Sequence, residues 1–101
     1  MIILEIGKEN EEFAMSFFED SVQCVRIMKI NKFNGSSELI QVCIMVSALT
    51  AGSIVRLVRE LNKRDQYMKI LGQGEELKPE EITEEYIEEH IDTNQPSEVE
   101  K

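Results

Sequence analysis

Residues 36–64 read SSELIQVCIMVSALTAGSIVRLVRELNKR, and this stretch decides the predicted fold. It runs from Leu39 to Val55 without a charged side chain and then closes on basic residues. Apolar side chains fall on every side of a helix drawn through it, and a helix that is apolar all round must be buried all round. We therefore predict a long central apolar helix ending near Lys63, with one face on a sheet and the other against a partner.

Two alternatives remain open for this stretch. Gly52 could break the helix into two shorter ones, since glycine is a poor helix former. The uncharged run could also cross a membrane, but its 17 residues lie at the lower limit of about 17–25 residues for a span. Polar residues such as Gln41 and Thr50 dilute it further, so a buried helix without a membrane span is preferred.

The chain before this stretch predicts a strand, a helix and a second strand. Met1–Ile6 is a short β-branched run ended by Gly7 and is typical of a buried strand. Asn10 suits the N-cap of a helix through Val22, with glutamates at the positive end of the helix dipole. The next apolar run, Val25–Ile30, predicts the second strand.

The chain after it predicts a hairpin and a last helix. Residues 67–71 form a third apolar run, and Gly72-Gln73-Gly74 is a tight turn into a short return strand, Glu75–Leu77. Pro79 suits the first position of a helix that carries a narrow apolar stripe and many glutamates. The resulting class is α/β, with the order β-α-β-α-β(β)-α and a three- to four-stranded sheet. We expect a single domain at 1–92 and a disordered polar tail at 93–101.

The charge of the chain is concentrated at one end. The net charge is −9, and residues 1–74 carry nine acidic and nine basic side chains. Residues 75–101 carry eleven acidic and two basic ones, so all the excess lies in the last quarter. Direct binding to nucleic acid or to an anionic membrane needs a net basic surface, and we expect neither.

The residues that usually carry chemistry are few. Cys24 and Cys43 are too far apart in sequence for a metal motif, and we expect reduced, buried thiols in a cytoplasmic protein. The single histidine, His90, lies on the apolar stripe of the last helix and is expected to pack there. We predict no catalytic, metal or cofactor site and no enzyme, although a pocket joining Cys43, Tyr67 and His90 would reopen the question.

Three groups of residues are candidate interaction sites. Apolar residues of the central stretch are predicted to mediate self-association: Val42, Cys43, Val46, Leu49, Ala51, Ile54, Leu57, Val58 and Leu61. Glutamates of the last helix are predicted to form an acidic surface facing a partner: Glu80, Glu81, Glu84, Glu85, Glu88 and Glu89. A basic cluster, Arg56, Arg59, Lys63 and Arg64, could pair with that acidic surface within one molecule or across a dimer.

The layout of residues 1–78 resembles the small effector-associated domains of bacterial conflict systems. The resemblance rests on an opening strand of the Ile2–Gly7 kind, a helix of the Glu11–Val22 kind, a second strand, a long apolar helix rich in small residues like Leu39–Val58 and a glycine-turn hairpin like Ile70–Leu77. It implies an adaptor that self-associates or recruits an effector without catalysis. The glutamate-rich last helix departs from the pattern.

Two functions are therefore expected. The first is an interaction or adaptor module that forms a homo-oligomer, with a dimer favoured, or recruits a protein partner in a bacterial defence system. The alternative is an acidic inhibitor or nucleic-acid mimic, of the kind that phages and mobile elements encode, acting through the acidic surface.

Overall fold

The computed structural model describes residues 1–91, and the predicted polar tail lies outside them, as does the last residue of the predicted domain. Within these residues there are five strands, three α-helices and three 3₁₀ helices. The strands are β1 (Ile2–Gly7), β2 (Val25–Asn34), β3 (Ser37–Ile44), β4 (Met68–Gly72) and β5 (Glu75–Leu77). The α-helices are α1 (Glu11–Met15), α2 (Ala51–Lys63) and α3 (Glu84–Glu89), and the 3₁₀ helices span Lys8–Asn10, Ser16–Cys24 and Pro79–Glu81.

The five strands form one antiparallel sheet in the order β2-β3-β1-β4-β5. Strand β1 lies at its centre, where Leu4 faces Val42 on one side and Ile70 on the other. The mixed α/β class is confirmed. The sheet is larger than the predicted three or four strands, because the central stretch supplies a strand of its own.

The predicted long central helix is wrong. Its first part is strand β3, its second part is helix α2, and a turn joins the two. The β-branched residues Ile40, Val42 and Ile44 alternate along β3 and point into the core, where each is almost fully buried. The positions between them are largely apolar as well, so the alternation that marks a strand is hidden in the sequence.

The turn that precedes β3 joins two strands instead of starting a helix. Asn34 pairs with Ser37 across it. Gly35 has a φ of 68°, while Ser36 has none in the positive range, which is the pattern of a type II′ hairpin turn. Pairing continues from this turn along both strands, with a shift of register between Lys29 and Phe33, so the apolar run after the turn is a strand and not a helix.

Thr50 holds the connection between β3 and α2. Its hydroxyl is buried with the rest of its side chain and donates to the carbonyl of Met45 at 2.8 Å. The same oxygen accepts the backbone N–H of Ser47 at 2.9 Å. These bonds pair backbone groups that neither the strand nor the helix can satisfy, so the break lies at 45–50, just ahead of Gly52.

The predicted helix from Asn10 to Val22 is also broken. Helix α1 gives way to the 3₁₀ segment Ser16–Cys24, in which Phe18 (φ −125°) and Ser21 (φ −143°) leave the helical region. The break turns Phe18 fully into the core, while Phe13 and Phe17 lie at its margin.

The helical segments that bury apolar side chains contribute to one core on one face of the sheet. Helix α2 buries Ile54, Leu57 and Leu61 against the inward residues of the strands, and the last segment adds Ile82 and Ile87. That last segment is a 3₁₀ turn followed by the short helix α3, which Thr83 caps by accepting the N–H of Tyr86 at 3.1 Å. The predicted continuous helix from Pro79 is therefore divided in two.

Candidate interaction surfaces

The predicted self-association residues do not form a surface. Eight of the nine are at most 7% exposed within the single chain: Val42, Cys43, Val46, Ala51, Ile54, Leu57, Val58 and Leu61. Only Leu49, in the turn before α2, is exposed, at 64%. The surplus apolar helix face that motivated this set does not exist, because the stretch is a strand followed by a helix: Val42 faces the core from β3, and the five residues on α2 face it from the helix. Of this set, only Leu49 is accessible to a second copy in the folded chain.

The acidic surface lies on the 3₁₀ helix Pro79–Glu81 and on helix α3. All six of its glutamates, from Glu80 to Glu89, are exposed. Within residues 1–91 none of them belongs to an ion pair, and Glu81 accepts the N–H of Lys78 at 3.2 Å. Strand β5 extends the same negative region with exposed Glu75 and Glu76.

The basic cluster does not pair with the acidic surface within residues 1–91. Lys63 and Arg64 both reach Glu60 of the same helix, at 3.6 and 3.7 Å. The guanidinium of Arg64 also lies 4.2 Å from the centre of the Phe13 ring, a cation–π contact. Arg56 donates to the hydroxyl of Ser53 at 3.3 Å. The cluster is thus engaged locally, on helix α2 and its neighbours.

The sheet order separates a basic edge from an acidic one. Strand β2, one edge, carries Arg26, Lys29 and Lys32 and no acidic residue. Strand β5, the other edge, carries Glu75 and Glu76. Four inter-strand steps of about 4.8 Å put the edges about 19 Å apart. Their charges therefore cannot neutralise one another inside one chain. Sequence reasoning missed this polarity because it appears only once the strand order is known.

The second face of the sheet, defined here by Ile3, Glu5, Gln41, Cys43 and Leu71, lies opposite the core. Within residues 1–91 the helices place their buried apolar residues on the core side, so no described helix covers this face.

One ionisable group of the second face is nonetheless almost fully enclosed. Glu5 is 2% exposed. Its carboxylate accepts the hydroxyl of Tyr67 at 2.9 Å and lies 3.7 Å from the ammonium of Lys32. Partial burial of Tyr67, together with this hydrogen bond and the negative charges of Glu5 and Glu76, raises the pKa of the Tyr67 hydroxyl above its ordinary value of 10.0. Glu5 is therefore held by two side chains that fold over the sheet.

The structure separates Cys43 from the two residues with which a shared pocket would have suggested an enzyme. Cys43 lines a cavity of about 300 Å³ that includes neither Tyr67 nor His90. His90 stacks on Tyr86 with 4.2 Å between ring centres, and its Nδ1 lies 2.8 Å from the Tyr86 carbonyl. Burial and the charges of Glu75 and Glu81 raise the pKa of the Tyr86 hydroxyl.

A cavity of about 520 Å³ between Ser16–Ser21 and the start of α2 is lined mainly by polar and charged side chains such as Asp20 and Arg56. Within residues 1–91, no group of three or more histidine, cysteine, aspartate or glutamate side chains is placed to hold a metal ion.

Comparisons with known proteins assign no function to these surfaces. Searches against protein-family models, curated proteins and solved structures give no match to this chain. In the part of the chain that the structure describes, every helix is too short or too polar to cross a membrane.

Proposed function

We propose that the protein is a non-enzymatic interaction module that self-associates edge to edge, with β2 of one copy beside β5 of the next. The observation that carries the proposal is the opposite charge of the two sheet edges. Each edge strand has backbone N–H and C=O groups without a strand partner on its outer side within residues 1–91. A second copy can supply that partner, as in other cases of strand addition.

The charges select which edges can meet. Two β2 strands side by side would bring Arg26 and Lys29 of one copy against the same residues of the other, and like charges on facing strands are destabilising. Two β5 strands side by side would likewise bring Glu75 and Glu76 of one copy against the same residues of the other, which is also destabilising. Only the pairing of β2 with β5 places opposite charges together.

Such a contact is weak and reversible. Strand β5 has only three residues, so few backbone hydrogen bonds form, and exposed charges at the contact are screened by salt. A dimer is the smallest product. Because a head-to-tail contact leaves one edge of each kind free, further copies can add.

This mode of assembly suits an adaptor. By the resemblance of residues 1–78 to effector-associated domains of bacterial conflict systems, we propose that the module brings copies of an effector together in the cytoplasm. The effector would be carried by a partner or by a fused domain, and clustering would raise its local concentration.

Sedimentation of the full chain tests the proposal. From micromolar to millimolar protein at low salt, the weight-average mass should rise above that of a monomer, and added salt should reverse the rise. The variants Arg26→Glu/Lys29→Glu and Glu75→Lys/Glu76→Lys should each remain monomeric. The matched control Arg59→Glu/Lys63→Glu, which reverses two exposed charges away from both edges, should associate like the parent chain. A monomer at every concentration would remove the proposal.

A second candidate is supported by the six exposed glutamates of the acidic surface, which have no ion-pair partner within residues 1–91. In this case the protein is an acidic inhibitor that occupies the nucleic-acid site of a basic partner. The partner should be released by added duplex DNA, and Glu84→Lys/Glu85→Lys/Glu88→Lys should abolish binding. Capture of a protein whose binding is unchanged both by the DNA and by the substitutions would exclude this function.

A further inference from the structure

Sulfur-containing side chains converge at one end of the second sheet face. The chain has two cysteines and five methionines. Both cysteines and two of the methionines, Met1 and Met45, line the cavity of about 300 Å³ beside strands β2 and β3. A third methionine, Met28, places its Sδ 3.8 Å from the Sγ of Cys43. We propose that this sulfur cluster (Met1, Cys24, Met28, Cys43 and Met45) is a binding site for a soft monovalent cation of the Cu(I) class.

The pairing of β2 with β3 creates the cluster. Cys43 faces Arg26 across the strand pair. Beyond the end of β2, the N–H of Met45 still donates to the carbonyl of Cys24 at 2.8 Å, which keeps the two segments side by side. Residues 19 positions apart in sequence are thus brought to one cavity, and sequence spacing gave no sign of it.

The distance between Cys43 Sγ and Met28 Sδ agrees with coordination of one ion by both sulfurs. Metal–sulfur bonds of about 2.3 Å in a tetrahedral site place neighbouring sulfurs about 3.8 Å apart. The Cys43 thiol donates to the Met28 thioether at that separation. Both sulfurs can therefore contact one ion with little movement.

The donor set selects the class of ion. Thiolates and thioethers are soft ligands and favour Cu(I) over hard cations, which prefer oxygen. The cavity is lined by neither a carboxylate nor a histidine within residues 1–91. Zinc sites of structural type use four cysteine or histidine ligands, and only two cysteines are present here.

Charge and access also fit. Binding forms bonds from the ion to two thiolates and releases two thiol protons to solvent, with no change in the oxidation state of copper or sulfur. The resulting site has a net charge of −1, and Arg26, which also lines the cavity, lies beside it. Met1, Met28 and Met45 are 46, 46 and 43% exposed. An ion can therefore reach the thioether sulfurs from solvent.

The test is an anaerobic titration of the reduced full chain with Cu(I) supplied as its bicinchoninate complex. We expect transfer of one Cu(I) per chain, read from the loss of the complex's colour. The variants Cys24→Ser and Cys43→Ser should each lower the affinity by more than about tenfold, the lower end of the loss seen even for second-shell partners of a metal. Met28→Leu should weaken binding. The control Met15→Leu, on α1 and away from the cavity, should leave it unchanged.

Two further measurements keep the result interpretable. Cys43 is buried, so its substitution can perturb the fold, and the second comparison uses Cys24→Ser, whose replaced side chain is only half-buried. Cu(I) should raise the melting temperature of the parent chain but not that of Cys24→Ser. Zn(II) should bind more weakly than Cu(I). Failure to take Cu(I) from the chelator would overturn the proposal. An affinity in Cys24→Ser and Cys43→Ser equal to that of the parent chain would also overturn it. If Met28→Leu matched Met15→Leu, the thioether contribution would be refuted.

Discussion

The hydroxyl of Tyr67 donates to the carboxylate of Glu5 at 2.9 Å, joining residues 62 positions apart on the second face of the sheet. Glu5 lies on the central strand and is almost fully buried there. A buried carboxylate is costly unless it is hydrogen-bonded or paired. Replacing Tyr67 by Phe removes one of the two partners of the Glu5 carboxylate, and we expect the free energy of unfolding to fall by about 1–2 kcal/mol.

Urea unfolding of Tyr67→Phe measures this loss. Tyr86→Phe is the matched control, since Tyr86 stacks on His90 and does not contact Glu5. A Tyr67→Phe variant as stable as the parent chain would show that Lys32 alone satisfies the carboxylate.

Partial burial of Tyr67 and its hydrogen bond to Glu5 make the stability of the folded chain depend on pH in the alkaline range. The pKa of Tyr67 is raised in the folded chain, so the folded state holds this proton more tightly than the unfolded state does. The contribution is fully present below the unfolded pKa of about 10 and is lost as pH rises through the folded pKa. Above pH 10, the unfolding free energy of the parent chain should fall more steeply than that of Tyr67→Phe. Parallel pH profiles for the two proteins would contradict the assignment.

Thr50 is expected to be the side chain on which the strand-to-helix connection depends. Thr50→Val keeps the shape but leaves the Met45 carbonyl and the Ser47 N–H without their partner. We expect a loss of about 1–3 kcal/mol, the cost of unsatisfied buried polar groups. Thermal unfolding measures it, with the exposed Ser36→Ala as control, and equal melting temperatures would refute the role of Thr50.

Two glycines should respond to alanine with opposite signs. Gly74 has a φ of 77° in the β4–β5 turn, and Gly74→Ala should destabilise the chain by roughly 1 kcal/mol because alanine is strained there. Gly52 lies in helix α2, where an added Cβ would meet only the flexible end of Arg56, at 3.3 Å. Gly52→Ala should stabilise the chain by about 0.5–1 kcal/mol. Chemical denaturation of both variants checks the signs, and a shift of the same sign in both would contradict the two backbone assignments.

The hairpins show what the sequence could and could not predict. Gly72-Gln73-Gly74 was correctly interpreted as a hairpin turn, and Gln73 and Gly74 both take positive φ there. Asn34-Gly35 carries an equivalent turn signal, but the apolar run after it lacks visible alternation and therefore favours a helix over the second strand of a hairpin. That run is apolar at nearly every position since both faces of β3 are largely covered: Ile40 by the core, and Cys43 by its neighbours on the second face. Where the apolar positions fit both the two-residue period of a strand and the period of about 3.6 residues of a helix, the local pattern cannot choose between the two.

The candidate surfaces divide in the same way. The acidic surface depends only on local composition, so its exposure could be predicted from the run of glutamates at 80–89. The polarity of the sheet edges and the sulfur cluster depend on which strands are neighbours. Strand β1 pairs with β3 and β4 over long sequence separations, and no spacing in the sequence encodes that choice.

The most direct measurement of the central claim is a mixing experiment. Arg26→Glu/Lys29→Glu has a reversed β2 edge and an intact acidic β5 edge, and Glu75→Lys/Glu76→Lys has the converse. Each variant alone should sediment as a monomer, because its edges carry charge of one sign. Combined in equal amounts at low salt, they should associate, because each then meets an edge of opposite charge. Two variants that stay monomeric when mixed, while the parent chain associates, would contradict assembly through the sheet edges.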